Sequence, residues 1–246
     1  MSMALPFTPV VKWLVIVNVA IWFVLQVLVE GFFKVPFTAL FSLVPARVIF
    51  EFRIWELFTY MFLHSMQVTH ILFNMLMLWF FGAELEQRWG GKTFLFYYLF
   101  TGIGAAVIYC LGMGIYGAAT GAQTSLMIPV VGASGAIFGL MLAQGLLFGE
   151  RMVLFFMLFP MKTKYFVMIM GAIQVANMLT SSASGGEVAY LAHLGGLVSG
   201  YVALLLIGRW KNYLTAKKSK KKGRNLRLVV DNEKPQKSDN GPRYWN

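Results

Sequence analysis

Aspartate is missing from the first 230 residues of this 246-residue chain, and its two copies, Asp231 and Asp239, fall in the C-terminal tail. The body of the protein therefore lacks the carboxylate most often found behind a serine–histidine pair, and it lacks an acidic partner of that kind for a zinc site built on histidines. No HExxH stretch occurs, so the metal set expected is none. Charge of either sign is scarce: Asp, Glu, Lys and Arg make up 13%, and the 57 positions from Thr93 to Gly149 contain none of them. Cysteine occurs once, as Cys110, which excludes an internal disulfide and reads as a small packing residue. No unit of 20 to 50 residues repeats. No Lys/Arg-rich region with a small-residue cleavage site precedes the first apolar stretch, which reads as a signal anchor rather than a removable peptide.

What is present is hydrocarbon. Hydrophobic residues are 58% of the chain, and a helix crossing a bilayer needs about 20 of them in sequence. The uncharged run before Glu150 is long enough for two spans and a loop, with the break around Tyr116 to Pro129, where Gly, Thr, Gln and Ser gather. Further spans are expected at Trp13 to Val29, Val68 to Ala83, Tyr165 to Thr180 and Val188 to Gly208. The expected fold is an all-α polytopic membrane protein of six transmembrane helices over residues 1–210. A basic, disordered cytoplasmic tail is expected at 211–246. Eighteen of the 21 basic residues lie at the two ends and in the 84–92 and 150–164 loops, against Lys34, Arg47 and Arg53 in the other connections. That bias puts both termini in the cytoplasm and the connections 30–67, 116–131 and 181–187 outside.

Ionisable and hydroxyl groups inside such spans default to function. Ser134 lies 16 residues before Glu150, and His193 lies 16 residues before Arg209. At about 1.5 Å rise per residue each is roughly 24 Å from the charged end of its helix, so the two can meet at one depth. A serine hydroxyl needs a base, and a neutral imidazole supplies one. With no aspartate available, and Glu187 beside the outer loop reading as solvated, Ser134 and His193 form a dyad. Phe138, four residues after Ser134, is placed for an aromatic face to hold the imidazole or simply to pack. Donors for an oxyanion would be the Ser134 amide, in the first turn of its helix, with His70 and Asn74, which share one helix face. Gly135, Gly139 and Ala143 on the fourth span, and Ala192, Gly196 and Gly200 on the sixth, form small-residue stripes that let the two helices approach.

These residues resemble the rhomboid family of intramembrane serine proteases. His70-Ile-Leu-Phe-Asn74 is similar to the family's HxxxN, Gly132-Ala-Ser134-Gly135 to its GxSG, and Ala192-His193-Leu-Gly-Gly196 with Gly200 to its AHxxGxxxG. The resemblance implies Ser134 as nucleophile and His193 as general base, with His70, Asn74 and the Ser134 amide on the oxyanion. Gly132 would leave room for the substrate backbone. It also implies cleavage of transmembrane segments near the outer face, no cofactor, and transmembrane proteins as substrate partners, in the simple bacterial inner-membrane form. Two departures stand out: Trp55-Glu56 where the family often has Trp-Arg, and His64 and His70 six positions apart where the family's pair is commonly five apart.

The basic run Lys217 to Lys222 reads as a positive-inside anchor or an anionic-lipid contact, not a nucleic-acid site. Met152 to Met161 is too short to cross and reads as interfacial. The fifth span, Tyr165 to Thr180, with the small-residue loop Ser181 to Gly186, is the expected lateral gate; Phe166, Met170 or Met178 would close it against the second span. Rival readings are a non-catalytic binder or chaperone of membrane proteins, a metal-dependent membrane hydrolase and a transporter.

Overall fold

The first helix begins where the sequence offers a proline that needs no amide partner. Pro9 occupies the first helical turn after Thr8, a position where the fixed φ of proline is already helical. In the computed structural model, which describes residues 7–155, 159–180 and 189–221, helix α1 runs from Pro9 to Phe33. Its orphan amides are closed from another helix: Glu86 accepts the Thr8 hydroxyl at 2.5 Å and the Val10 and Val11 N–H groups at 2.9 Å. A carboxylate at a helix N-terminus also meets the positive end of the helix dipole. The segment Ile21–Glu30 is wound as a π-helix, a variant that often marks a functional position.

Five more long helices follow: α2 (Val68–Trp89), α3 (Gly91–Thr120), α4 (Ser134–Leu147), α5 (Thr163–Thr180) and α6 (Ala189–Lys221). Four segments are long and apolar enough to cross a membrane, namely Pro9–Phe33, Val68–Trp89, Gly91–Thr120 and Tyr190–Trp210. The chain is a multi-pass integral membrane protein. The described residues up to Gly208 form one compact unit, and those from Arg209 to Lys221, which are helical, belong to a second. The rest of the basic tail, and the loop Ser181 to Gly186 with Glu187, lie outside the described residues.

Helix α4 is the short one. Its 14 residues reach only about 21 Å at 1.5 Å each, less than the roughly 30 Å of hydrocarbon. It need not cross alone, because it is surrounded by protein. It packs on α2, α3 and α5, and the glycine stripes bring α6 against it. A Cβ on Gly196 would fall 2.0 Å from the Gly135 carbonyl oxygen, and one on Gly200 would fall 3.0 Å from Gly139 Cα. The non-helical stretch before α4 is exposed at its start, apart from Ser125 and Leu126 in a short 3₁₀ turn at Gln123–Met127, and is covered where it nears α4: Val130, bridged to Leu43, and then Gly132 and Ala133 are buried. Irregular backbone at membrane depth survives only where protein covers it.

The two remaining connections differ from plain loops. Between α1 and α2 the chain folds into short helices, Phe37–Phe41, Pro45–Phe50 and Glu56–Thr59, then a 3₁₀ turn at Tyr60–Phe62. The apolar stretch after α4 forms an antiparallel hairpin, β1 (Met152–Phe155) with β2 (Phe159–Lys162). Pro160 suits a two-stranded ribbon, which has free edges, and would break a helix. At the base of the hairpin Lys162 bonds Glu150 at 2.8 Å, Lys164 joins the same carboxylate, and Arg151 pairs with Glu84 of α2. The two lysine hydrogen bonds hold Glu150 far below the usual carboxylate range, at about 2.

Candidate functional site

Gly132 sets the approach to the site. Its φ of +125° belongs to a region that residues with a side chain avoid. Its N–H donates to the Tyr60 carbonyl at 2.9 Å, and the Tyr60 hydroxyl donates to the Gly102 carbonyl of α3 at 2.7 Å. The turn before α4 is thus fastened through the Tyr60 turn to α3. A Cβ on Gly132 would lie 3.2 Å from His70 Nε2 and 3.6 Å from Ser134 Oγ. The missing side chain keeps the space between those two groups open.

Ser134 is the first residue of α4. Its Oγ lies 2.7 Å from His193 Nε2, across the α4–α6 contact made by the glycine stripes. His193 Nδ1 lies 2.8 Å from Gln174 Oε1 of α5. A carbonyl oxygen only accepts, so the bond to Gln174 puts the ring proton on Nδ1 and leaves the Nε2 lone pair for the serine hydroxyl. Phe138 stacks on the opposite support: its ring centroid is 4.4 Å from that of His193, with 16° between planes. The spacing of Phe138 and Ser134, one helical turn, is what puts both on the His193 side of α4.

His70 is oriented by different means. The Ser65 N–H donates to His70 Nδ1 at 3.0 Å, with Ser65 Oγ also 3.0 Å away. Nδ1 is therefore the acceptor, and Nε2 carries the proton toward the opening that Gly132 leaves. The segment bearing Ser65 is held by α1. The Trp22 indole N–H donates to the Ser65 carbonyl at 3.0 Å, and the Gln26 amide pairs with both main-chain groups of His64, at 2.7 and 2.9 Å. Asn74 donates to the His70 carbonyl at 2.8 Å within α2.

Of the residues singled out in the sequence, Ser134, His193, Phe138, His70 and Gly132 meet around one opening, and Asn74 sits one turn along α2 from His70. His64 does not join them. It is fully buried, with its ring 5.3 Å from that of His70, and burial, followed by the neighbouring His70, pushes its pKa down to about 3. The imidazole is neutral packing under His70. Among the described residues, no group of three His, Cys, Asp or Glu side chains converges to hold a metal ion. Glu56, the departure at Trp55-Glu56, is buried. It accepts the Val44 N–H at 2.9 Å and faces Arg47 at 3.7 Å, so a carboxylate fastens the first connection here. Phe166 of α5 packs against Phe81 of α2 at 5.7 Å, while Met170 is partly buried on the core and Met178 is exposed.

Gln174 and Ser65 were not singled out beforehand. Gln174 had a signal, a polar side chain in the middle of an apolar helix. Ser65 acts through its main-chain N–H, which leaves no trace in side-chain chemistry.

The sequence is similar to those of known proteins. The family model described as the Rhomboid domain matches residues 51–210, more than half of the chain. RHOMBOID-like protein 1 of Arabidopsis thaliana is 31% identical over 159 residues, 64% of this chain and 35% of that protein. RHOMBOID-like protein 2 of the same plant is 37% identical over 94 residues, 38% of this chain and 26% of that one. The rhomboid protease GluP of Bacillus subtilis is 29% identical over 160 residues, 63% of this chain and 26% of that one. The chain thus spans between a quarter and about a third of the length of these curated relatives.

Proposed function

From the premise that this chain belongs to the rhomboid family, we propose that it is an intramembrane serine endopeptidase that cleaves transmembrane segments of other proteins. In this reading the chain makes six membrane passes with both termini cytoplasmic, and Ser134 and His193 lie in the outer half of a bacterial inner membrane. The observation that carries this reading is the 2.7 Å contact between Ser134 Oγ and His193 Nε2, made between two helices inside the bundle.

The chemistry follows from the two nitrogens of His193. Ser134 Oγ attacks the substrate carbonyl carbon while its proton passes to Nε2. The carbonyl oxygen becomes an oxyanion beside the Ser134 amide and the Nε2–H of His70, with Asn74 within one turn. Each such donor is worth about 10² to 10³ in kcat in a soluble serine protease. The C–N bond then breaks as Nε2 returns the proton to the leaving amine, and an acyl group stays on Ser134. A water molecule, deprotonated by the same nitrogen, attacks the acyl carbon and releases the acid.

A fluorophosphonate probe tests the nucleophile directly. Incubation of the purified, folded protein with the probe, followed by peptide mass spectrometry, should place one phosphonyl group on Ser134. A folded protein that stays unlabelled, or carries the label elsewhere, would support a non-catalytic membrane-protein binder instead.

A further inference from the structure

We propose that Gln174 of α5 is a positioning residue for His193, with its side-chain carbonyl holding the ring proton on Nδ1 so that Nε2 is free to take the proton of Ser134. This rests on the hydrolase reading and adds a third member to the Ser134–His193 pair.

Gln174 is buried, 6% exposed, in the middle of an apolar helix, and its Oε1 is 2.8 Å from His193 Nδ1. An unpaired amide at such a place would cost free energy, so the contact is worth making for both partners. The reverse tautomer, with the proton on Nε2, would leave two acceptors facing each other at Gln174 and would point a donor at the serine oxygen. The amide therefore selects the productive form. When Nε2 gains its proton, the carbonyl dipole and the Phe138 face, 4.4 Å away, both favour the cation. Gln174 thus provides, without a formal charge, the orientation that an aspartate provides in a soluble triad. A carboxylate buried there would carry the desolvation cost of an ion, consistent with a chain that has no aspartate before residue 231.

The test compares the full-length protein with Gln174→Leu and Gln174→Glu by second-order rate of fluorophosphonate labelling per folded molecule. Gln174→Leu keeps the volume and removes the acceptor. We expect labelling to fall about 10- to 100-fold, less than the roughly 10⁴ lost when a soluble triad loses its aspartate charge. Gln174→Glu retains an oxygen acceptor for the Nδ1 proton, so its labelling rate should stay well above that of Gln174→Leu. In ¹⁵N spectra of the wild type the His193 ring proton should reside on Nδ1. That measurement decides the matter even if Gln174→Leu does not fold. A wild-type proton on Nε2, a Gln174→Leu labelling rate equal to wild type, or a Gln174→Glu rate no higher than that of Gln174→Leu would each overturn the role of Gln174. Those results presuppose a labelled wild type. Absence of labelling in folded wild type would instead overturn the hydrolase reading itself.

Discussion

Around Ser134 and His70, single atoms decide which tautomer each histidine adopts. His193 meets a carbonyl oxygen at Nδ1, whereas His70 meets the Ser65 N–H there. The two rings therefore carry opposite tautomers, one presenting a lone pair and the other a proton to the same opening. Gly132→Ala tests that opening. Its φ of +125° should cost about 1–3 kcal/mol with a side chain present, and the new methyl would press on His70 Nε2 at 3.2 Å. We expect loss of labelling together with a lowered melting temperature. Glu56 gives a pH-dependent counterpart far from the opening. Burial raises its pKa above 4.5 in the folded protein, so the native state binds a proton that the unfolded chain has released. Its contribution to stability is greatest at low pH and declines as pH rises through the raised value. Glu56→Gln keeps an oxygen for the Val44 N–H and cannot ionise. Melting temperatures measured between pH 4 and 8 should show that variant losing less stability than wild type as pH rises. Identical slopes would mean that Glu56 titrates normally. At this scale the sequence announced Ser134, His193 and Phe138 through equal distances and one-turn spacing. It was silent on Ser65, because a main-chain amide has no residue-type signature.

Helix contacts rest on positions where no side chain fits. Gly196 lies against the Gly135 carbonyl so closely that even a methyl, 2.0 Å from the oxygen, must push α6 away from α4. Gly196→Ala should destabilise the fold by roughly 1–3 kcal/mol and, by lengthening the 2.7 Å contact of Ser134 and His193, reduce labelling per folded molecule. Gly208→Ala, with nothing within 4 Å of the added atom, should change neither. Helix α5 is packed at its start by Phe166 on Phe81 and by Val167 beside Gly145, whereas Gln174 lies about 10 Å further along. If substrate enters between α2 and α5, loosening that end should admit a transmembrane segment sooner and hold Gln174 less firmly on His193. Phe166→Ala should accordingly speed cleavage of a transmembrane substrate while slowing reaction with a small phosphonate. The positions of the long helices were legible from hydropathy. The start of α4 at Ser134 was legible too, whereas its end at Leu147, before the first charge at Glu150, was not. The hairpin after α4 was also hidden, because a ten-residue apolar stretch has the same composition as a strand pair or a surface helix.

In the whole molecule Ser134 and His193 meet inside the bundle among neutral groups. The six acidic residues of the described body tie its elements together: Glu86 at the start of α1, Glu30, Glu51 and Glu56 around the first connection, Glu84 and Glu150 beside the hairpin. The bundle interior that surrounds Ser134 is left to neutral partners, Gln174, Asn74, His70 and Phe138. Electrostatic terms are larger in such a medium than in water, so neutral dipoles would suffice for the proposed reaction where a soluble enzyme uses a carboxylate. The most direct measurement is cleavage of a model transmembrane substrate by the purified protein reconstituted in lipid vesicles, comparing wild type with Ser134→Ala, His193→Ala and the double variant, each verified as folded. We expect wild type to cut, each single variant to lose cleavage, and the double variant to be no worse than either, because the two residues act as one unit. Cleavage by folded Ser134→Ala at the wild-type rate would contradict the assignment of the nucleophile and with it the proposed chemistry.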